Sequence, residues 1–316
     1  MIRLTTFLNT YIKNNRIHTK SLVSTIFGDV LVPNDGHTWV KTLSELLGPI
    51  GINDRLVRTT LFRLVEDNWV YTTKSGRRSF YALTDSALSK TLLAEKLIYT
   101  KIISEWDGQW TLVFLVKSGI PAELKTEFIQ ELRWIGFGTV ASNVLAYPGD
   151  IVDLVSERSL KMHLGKQVIV MKCTNIFDAK IGFHNDDREL AKSIMSYSTL
   201  EQKYHEFVNN FGSLLNSSGK VSFEGSAKEL LLLRILMIDE YRRIILKDNH
   251  LPVDLLPDPW SGTEAYKICS RVYRHIEKTS TNYYRSLQNE DPIIAESGTQ
   301  GINNEKLPKV SERFKI

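Results

Sequence analysis

Arg55, Arg58, Thr59 and Arg63 are spaced three and four residues apart, so a helix through them carries all four on or beside one solvent face. A guanidinium there can bond O6 and N7 of guanine together, a contact worth about 1–3 kcal/mol of discrimination against a wrong base. Asn53 stands where such a helix begins and suits its N-cap, with Ile52 placed to pack against Val57. Asp54 follows in the first turn, where a carboxylate favours the helix N-terminus. Further on, Lys74, Arg77 and Arg78 crowd a Lys-Ser-Gly-Arg-Arg run between strand-like stretches at 70–73 and 79–83. A basic hairpin tip of this kind tracks phosphates and adds affinity with little sequence information. Together these side chains suit a DNA duplex, with the helix reading base edges and the hairpin holding the backbone. On a lone helix, arginines so spaced would be read as a solvated face. Here the preceding helices, the basic hairpin and the charge distribution agree. Residues 1–100 carry 13 lysines and arginines against 8 acidic residues, while the rest of the chain carries 27 against 28. The positive surplus therefore lies where the duplex would be met.

The elements that must position these groups are legible in outline. Residues 1–19 read as a polar arm with room for a short helix. Helical patterns at 21–32, 40–47 and 53–67 follow, the second ended by Gly48-Pro49, and Val57, Leu61, Leu64 and Val65 of the third are spaced to face a core. Thr84-Asp85 can cap a helix running to about residue 104. Trp69 and Phe80 read as packing residues. Strand, helix, strand, helix, strand at 110–116, 121–135, 143–147, 150–161 and 167–173, with a further strand at 138–141, predict a ferredoxin-like middle domain. From 186 the pattern is helical: an amphipathic helix to 215, a buried helix at 227–248, a proline-rich loop at 251–260 and a last helix at 262–288. Residues 290–316 read as a polar tail with few anchors. The expected architecture is multidomain α+β: arm 1–19, winged helix-turn-helix 20–104, ferredoxin-like domain 105–176, helical domain 177–290, and tail 291–316.

Other chemistry has weak support. Gly136 to Ala141 fits GxGxxA, but it follows a helix and precedes a strand, the reverse of a dinucleotide fingerprint. The seven histidines are dispersed and show no HxxxH or HExxH spacing, so no metal site is expected, and no cofactor. No GxSxG occurs. A nuclease built on the middle domain would want a carboxylate near the end of its first strand, where the chain reads Val116-Lys117-Ser118-Gly119-Ile120. Asp107 reads as the start of an Asp-Gly turn. Arg242, Arg243, His250 and Trp260 could meet an anionic effector, although the arginines equally suit salt bridges with Glu240 or Asp248, and Tyr241 and Trp260 suit a core. Cys173 and Cys269 are far apart and form no disulfide framework. No secretory signal or membrane span is read, which predicts a cytoplasmic protein.

Several stretches together resemble the PaaX-type repressors of phenylacetic acid degradation operons. They are SLVSTIFGD at 21–29, NDRLVRTTLFRLVEDNW at 53–69, GRRSFYALT at 76–84, WDGQW at 106–110, LRWIGFG at 132–138 and EYRRIILKDNHLPVDLLPDPW at 240–260. Ser142-Asn143 and Leu145 depart from the family's glycine and tryptophan. The resemblance implies a non-enzymatic transcriptional repressor of three parts, dimeric on a palindromic operator and released by an acyl-CoA such as phenylacetyl-CoA. It places the reading helix at 53–67 and the wing at 74–80. The alternatives are an enzyme, either a nuclease or an acyl-CoA hydrolase, and a DNA-binding protein without a ligand.

Overall fold

The computed structural model describes residues 1–34, 36–75, 78–101, 105–116, 119–174, 187–195, 198–289 and 313–314, the side chains of 75, 78 and 289 excepted. The fold is mixed α+β. The chain opens with β1 (Ile2–Arg3), α1 (Leu4–Asn14) and α2 (Thr19–Thr25), which continues as a π-helical stretch, Ile26–Leu31. Then come β2 (His37–Trp39), α3 (Val40–Leu47), α4 (Asp54–Glu66), β3 (Val70–Ser75), β4 (Arg78–Leu83) and α5 (Asp85–Tyr99). The middle holds β5 (Trp110–Leu115), α6 (Ala122–Ile135), β6 (Gly138–Ala141), β7 (Val144–Pro148), α7 (Val152–Lys161) and β8 (Val168–Cys173). Last are α8 (Asp187–Met195), α9 (Ser198–Phe211), β9 (Phe223–Glu224), α10 (Ala227–Ile245) and α11 (Ser261–Asn289). Two compact units result: Met1–Lys101 with Tyr204–Leu246 and Gly262–Ile316, and Ile102–Lys203 with Lys247–Ser261. Among the described residues no helix is long and apolar enough to cross a membrane.

In the second unit, β5 to β8 form a β-α-β-β-α-β unit with strand order β6-β7-β5-β8, every neighbour antiparallel. Alternation along β5 feeds two cores, as a period of two requires. Val113 and Leu115 join Phe128, Leu132 and Val155 under α6 and α7. Trp110 and Leu112 join Leu190, Ala191, Ile194 and Leu255 on the other side. The stretch expected as one helix from 186 to 215 is two helices, α8 and α9; Asp186 and residues 196–197 lie outside the described residues. The GxG at 136–138 is explained by packing. Gly136 closes α6 in the left-handed region, and a Cβ on Gly138 would sit 2.5 Å from the Ile194 carbonyl. Asp107 is committed too, accepting from Gln109 N at 2.9 Å and Asp150 N at 3.1 Å.

The first unit is built around α10. Ser226 and Glu229 form a capping box at its start, and Leu231 to Tyr241 are all buried, Arg234, Asp239 and Glu240 included. The stretch read as a polar arm with room for a short helix is largely α1, which buries Leu4, Leu8 and Tyr11. The Tyr11 hydroxyl donates to Glu240, and β1 pairs in parallel with β9. Burial deprives each charge of water, so each needs a partner. Asp29, in the π-helical stretch, is 2% exposed. Its Oδ2 accepts from Arg234 Nε at 2.7 Å, and its Oδ1 from Tyr99 at 2.6 Å, Tyr273 at 3.0 Å and Arg313 at 3.0 Å. Arg313 also donates to Glu95 at 2.7 Å and to the Asp29 and Gly28 carbonyls. Phe314 packs its ring among Tyr99, Tyr266 and Tyr273. Arg313 and Phe314 fall in the stretch read as a polar tail, yet both are buried; the rest of 290–316 lies outside the described residues.

Burial alone would push the Asp29 carboxyl up, but Arg234 and Arg313 pull it below the usual carboxylate range. A pKa lowered by folding means that the ionised group stabilises the fold at neutral pH. That contribution is lost as acid titrates the carboxylate. Asp29→Asn strands the buried Arg234 guanidinium and leaves Arg313 with Glu95 alone, and we expect a loss of about 3–5 kcal/mol in urea unfolding at pH 7. The gap between the variant and the wild type should narrow on acidification; an equal gap at pH 7 and at the acid end would contradict this account.

Candidate nucleic-acid interface

The candidate surface begins with the local chemistry of α4. Asn53 is extended, and its Oδ1 accepts from Leu56 N at 3.0 Å, an N-cap that commits this oxygen to the helix. Ile52 and Val57, before the cap and at the first full turn, are both buried, as a hydrophobic staple requires. Val57, Thr60, Leu61 and Leu64 form the inner face. Val65, expected in the core, is instead 36% exposed, one residue beyond the last buried position of α4, Leu64. The helix closes on Asn68 in the left-handed region, with Asn68 N donating to Val65 O and Trp69 N to Leu64 O, a Schellman end.

The opposite face is open. Arg55, Arg58, Thr59 and Arg63 are all exposed. The Thr59 hydroxyl donates to the Arg55 carbonyl at 2.9 Å, which orients its oxygen along the face. Phe62, which the sequence reading passed over, is 62% exposed. It lies three residues past Thr59 and four past Arg58, within the same stripe. Its spacing was visible in the sequence, but only the structure shows that no core covers it.

Beside α4 stands the hairpin. β3 and β4 pair from Val70↔Leu83 to Ser75↔Arg78, and β2 adds to β4 to give the order β2-β4-β3. Phe80 packs against Trp39 with ring centroids 3.8 Å apart and the planes tilted by 38°, and both are buried, so the sheet has its own anchor. Lys74 is exposed near the tip. Arg77 lies outside the described residues, as does the Arg78 side chain. The Thr84 hydroxyl accepts from Ala87 N at 3.2 Å, capping α5, and donates to the Asn68 carbonyl at 2.9 Å. Helix end, hairpin and the next helix are thus joined at one corner.

The residues expected to meet an effector fall in different units. Arg242 and Arg243 end α10 in the first. Arg242 Nε donates to Thr25 at 3.0 Å, and Arg243 Nε to Asp239 at 3.1 Å. Asp239 in turn accepts from Ser21 at 2.6 Å and Thr25 at 2.9 Å. His250 and Trp260 belong to the second unit. There burial lowers the His250 pKa although Asp248 opposes the shift, and Trp260 lines a cavity of about 200 Å³ with Lys203 and Lys247.

A protein with this arrangement of helices, hairpin and β-α-β-β-α-β unit has recognisable relatives. Residues 18–87 match the family described as PaaX-like protein, 104–190 the PaaX protein central Cas2-like domain, and 196–286 the PaaX-like protein C-terminal domain. The chain is 30% identical over 279 residues to the transcriptional repressor PaaX of Escherichia coli (strain K12), covering 87% of this chain and 86% of that protein. The uncharacterized protein Rv0674 from Mycobacterium tuberculosis shares the fold, with a TM-score of 0.53 at 17% identity over 85% of this chain and 99% of that one. The chain belongs to the PaaX family.

The N-cap offers a local check on this geometry. Asn53→Ala should cost about 1 kcal/mol of stability in thermal or urea unfolding, with Asn53→Asp close to neutral. An unchanged Asn53→Ala midpoint would show that the α4 start is held by something other than this bond.

Proposed function

We propose that the protein is a cytoplasmic, DNA-binding transcriptional repressor, not an enzyme, that reads its operator with a winged helix-turn-helix. α3 and α4 would supply the helix-turn-helix, and the β3–β4 hairpin the wing. The observation that carries this reading is a helix with a fully buried inner face that leaves Arg55, Arg58, Thr59 and Arg63 open to solvent beside a cationic hairpin. The relative from Escherichia coli, a transcriptional repressor, supports it. Two copies in a dimer would place their α4 helices in successive major grooves of a palindromic operator, about 34 Å apart. Arg55, Arg58 and Arg63 read base edges, and Asn53 caps the helix at the groove. Lys74, Arg77 and Arg78 hold phosphates. Phe62 is placed to meet a thymine methyl. An acyl-CoA of the phenylacetyl-CoA type, from an aromatic-acid catabolic operon under the protein's own control, is the effector. It weakens DNA binding, and by linkage DNA weakens effector binding by the same factor.

Footprinting on genomic fragments selected by the protein gives the operator. On it, Arg58→Ala combined with Arg77→Ala should lose at least tenfold in affinity at fixed salt. The Arg77 change alone should lower the salt slope by about 0.9, the value of one phosphate contact. Unchanged operator affinity in the double variant would end the assignment. Replacing operator thymines by uracil should weaken the wild type by about fourfold at the contacted base, one buried methyl being worth roughly 0.8 kcal/mol. Phe62→Ala should abolish that difference, and a difference that survives the substitution removes Phe62 from the interface.

A further inference from the structure

The first unit contains a cavity of about 200 Å³ between α2, α5 and α10, close to the end of α4. Its walls are largely carbon, from Ala94, Ile98, Tyr99 and Ile238, with Lys90 and Arg242 also on the lining. A dry cavity of about 150 Å³ accommodates benzene, so this one has room for an aryl ring and a short linker. Two polar atoms set it apart. Glu95 is 7% exposed and lines the cavity; its Oε1 accepts from Arg313, but its Oε2 has no hydrogen-bond partner among the described residues. Trp69 also lines the cavity, and its indole Nε1 is likewise buried and unpartnered among them. A buried donor and a buried acceptor without partners are costly, and here the two belong to residues that line one cavity. The cavity in the second unit, beside Trp260, has no such atom among its lining residues.

We infer that the cavity between Trp69 and Glu95 takes the acyl end of the effector: a benzyl-sized apolar group with a carbonyl that accepts from Trp69 Nε1 and a nearby N–H that donates to Glu95 Oε2. This rests on the sensor reading above and locates its ligand. An acyl thioester of cysteamine type has both polar atoms in the required order, carbonyl first and amide N–H beyond it. Lys90, exposed on the lining, and Arg242 then face the anionic remainder of a coenzyme. The placement also accounts for release. Trp69 N donates to the last turn of α4 at Leu64, and Trp69 O accepts from Thr84 N at the α5 cap. A ligand that holds the indole therefore acts on the reading helix and on the base of the hairpin together. Arg242, expected from the sequence to meet an effector, belongs to this site, whereas Arg243, His250 and Trp260 do not line it.

The test uses S-phenylacetyl-N-acetylcysteamine, which keeps the proposed contacts and lacks the nucleotide, alongside phenylacetyl-CoA. In the full-length protein, the Trp69 indole N–H resonance, assigned by its loss in Trp69→Phe, should move downfield on titration with the short thioester. Trp69→Phe should weaken that thioester about fivefold, one hydrogen bond's worth, and Ala94→Trp, which fills the cavity, should abolish binding. If Ala94→Trp does not fold, the indole shift and Trp69→Phe still decide the matter. A wild type that does not bind the short thioester at millimolar concentration overturns the inference, as does binding that leaves the Trp69 resonance unmoved. The sensor reading is tested separately, by operator release with saturating phenylacetyl-CoA. Release with Trp69 unmoved defeats this site and spares the sensor; a moved Trp69 without release supports the site and defeats the sensor.

Discussion

Asp29 accepts from four donors while shielded from water, and every one of those donors comes from a different part of the first unit: α5, α10, α11 and the residue pair 313–314. A lone buried carboxylate would be driven to protonate. Here two guanidinium groups and two phenols offset desolvation, so the charge stays and becomes the point where these elements must meet in one arrangement. Buried ion pairs contribute little net stability compared with well-packed carbon, but they penalise misplacement heavily. The network therefore bears on geometry more than on depth of stability. It fixes the helix α2 end, which α3, α4 and the hairpin follow in the chain, against α10 and α11. The second carboxylate of the network differs. Burial pushes Glu95 up despite Arg313, so it is the member least committed to its charge; both carboxylates of the network border the cavity.

A second, more exposed chain of bonds joins the same elements. Arg243 bonds Asp239, Asp239 accepts from Ser21 and Thr25, and Thr25 accepts from Arg242. Of the two arginines that looked like effector ligands, Arg243 is paired with Asp239, and Arg242 ties α10 to α2 through hydroxyls while it also lines the cavity. This is close to the salt-bridge alternative read from the sequence, with Asp239 and hydroxyls in place of Glu240 or Asp248. The substitution follows from helix geometry: Asp239 lies four residues before Arg243 and shares its face, whereas Glu240 lies on the side that meets Tyr11 and Asn210.

How much of this the sequence held depends on the range of the interaction. The start of α4 was legible because the cap, the staple and the apolar period all lie close together, within 52–64. The β-α-β-β-α-β unit was legible because strand and helix periods alternate cleanly there. What the sequence concealed is long-range or a matter of absence. Asp29 and Arg234 are separated by 205 residues, and no local pattern marks either as buried. Arg313 sits in a polar, weakly patterned stretch, where composition argues against burial and only a prepared acidic socket reverses that. α1 looked polar because its apolar stripe, Leu4, Leu8 and Tyr11, is a single narrow seam. Phe62 escaped notice for a different reason: its spacing puts it beside Arg58 and Thr59, but whether another part of the fold covers an aromatic there is a long-range matter.

The position of Trp69 ties these strands together. A Schellman end needs a left-handed residue, here Asn68, and returns the following N–H to the helix; that N–H is Trp69's own. The same residue opens the hairpin, and its carbonyl receives the N–H of the α5 cap. Its backbone is therefore fixed by three elements while its indole lines a cavity whose far wall is α10. Coupling between a ligand and DNA requires an element with two arrangements that both partners bias. A ligand that displaced this residue's backbone would load the helix end and the hairpin base together, which makes this corner a direct physical path between the cavity and the surface that bears Arg55, Arg58 and Arg63.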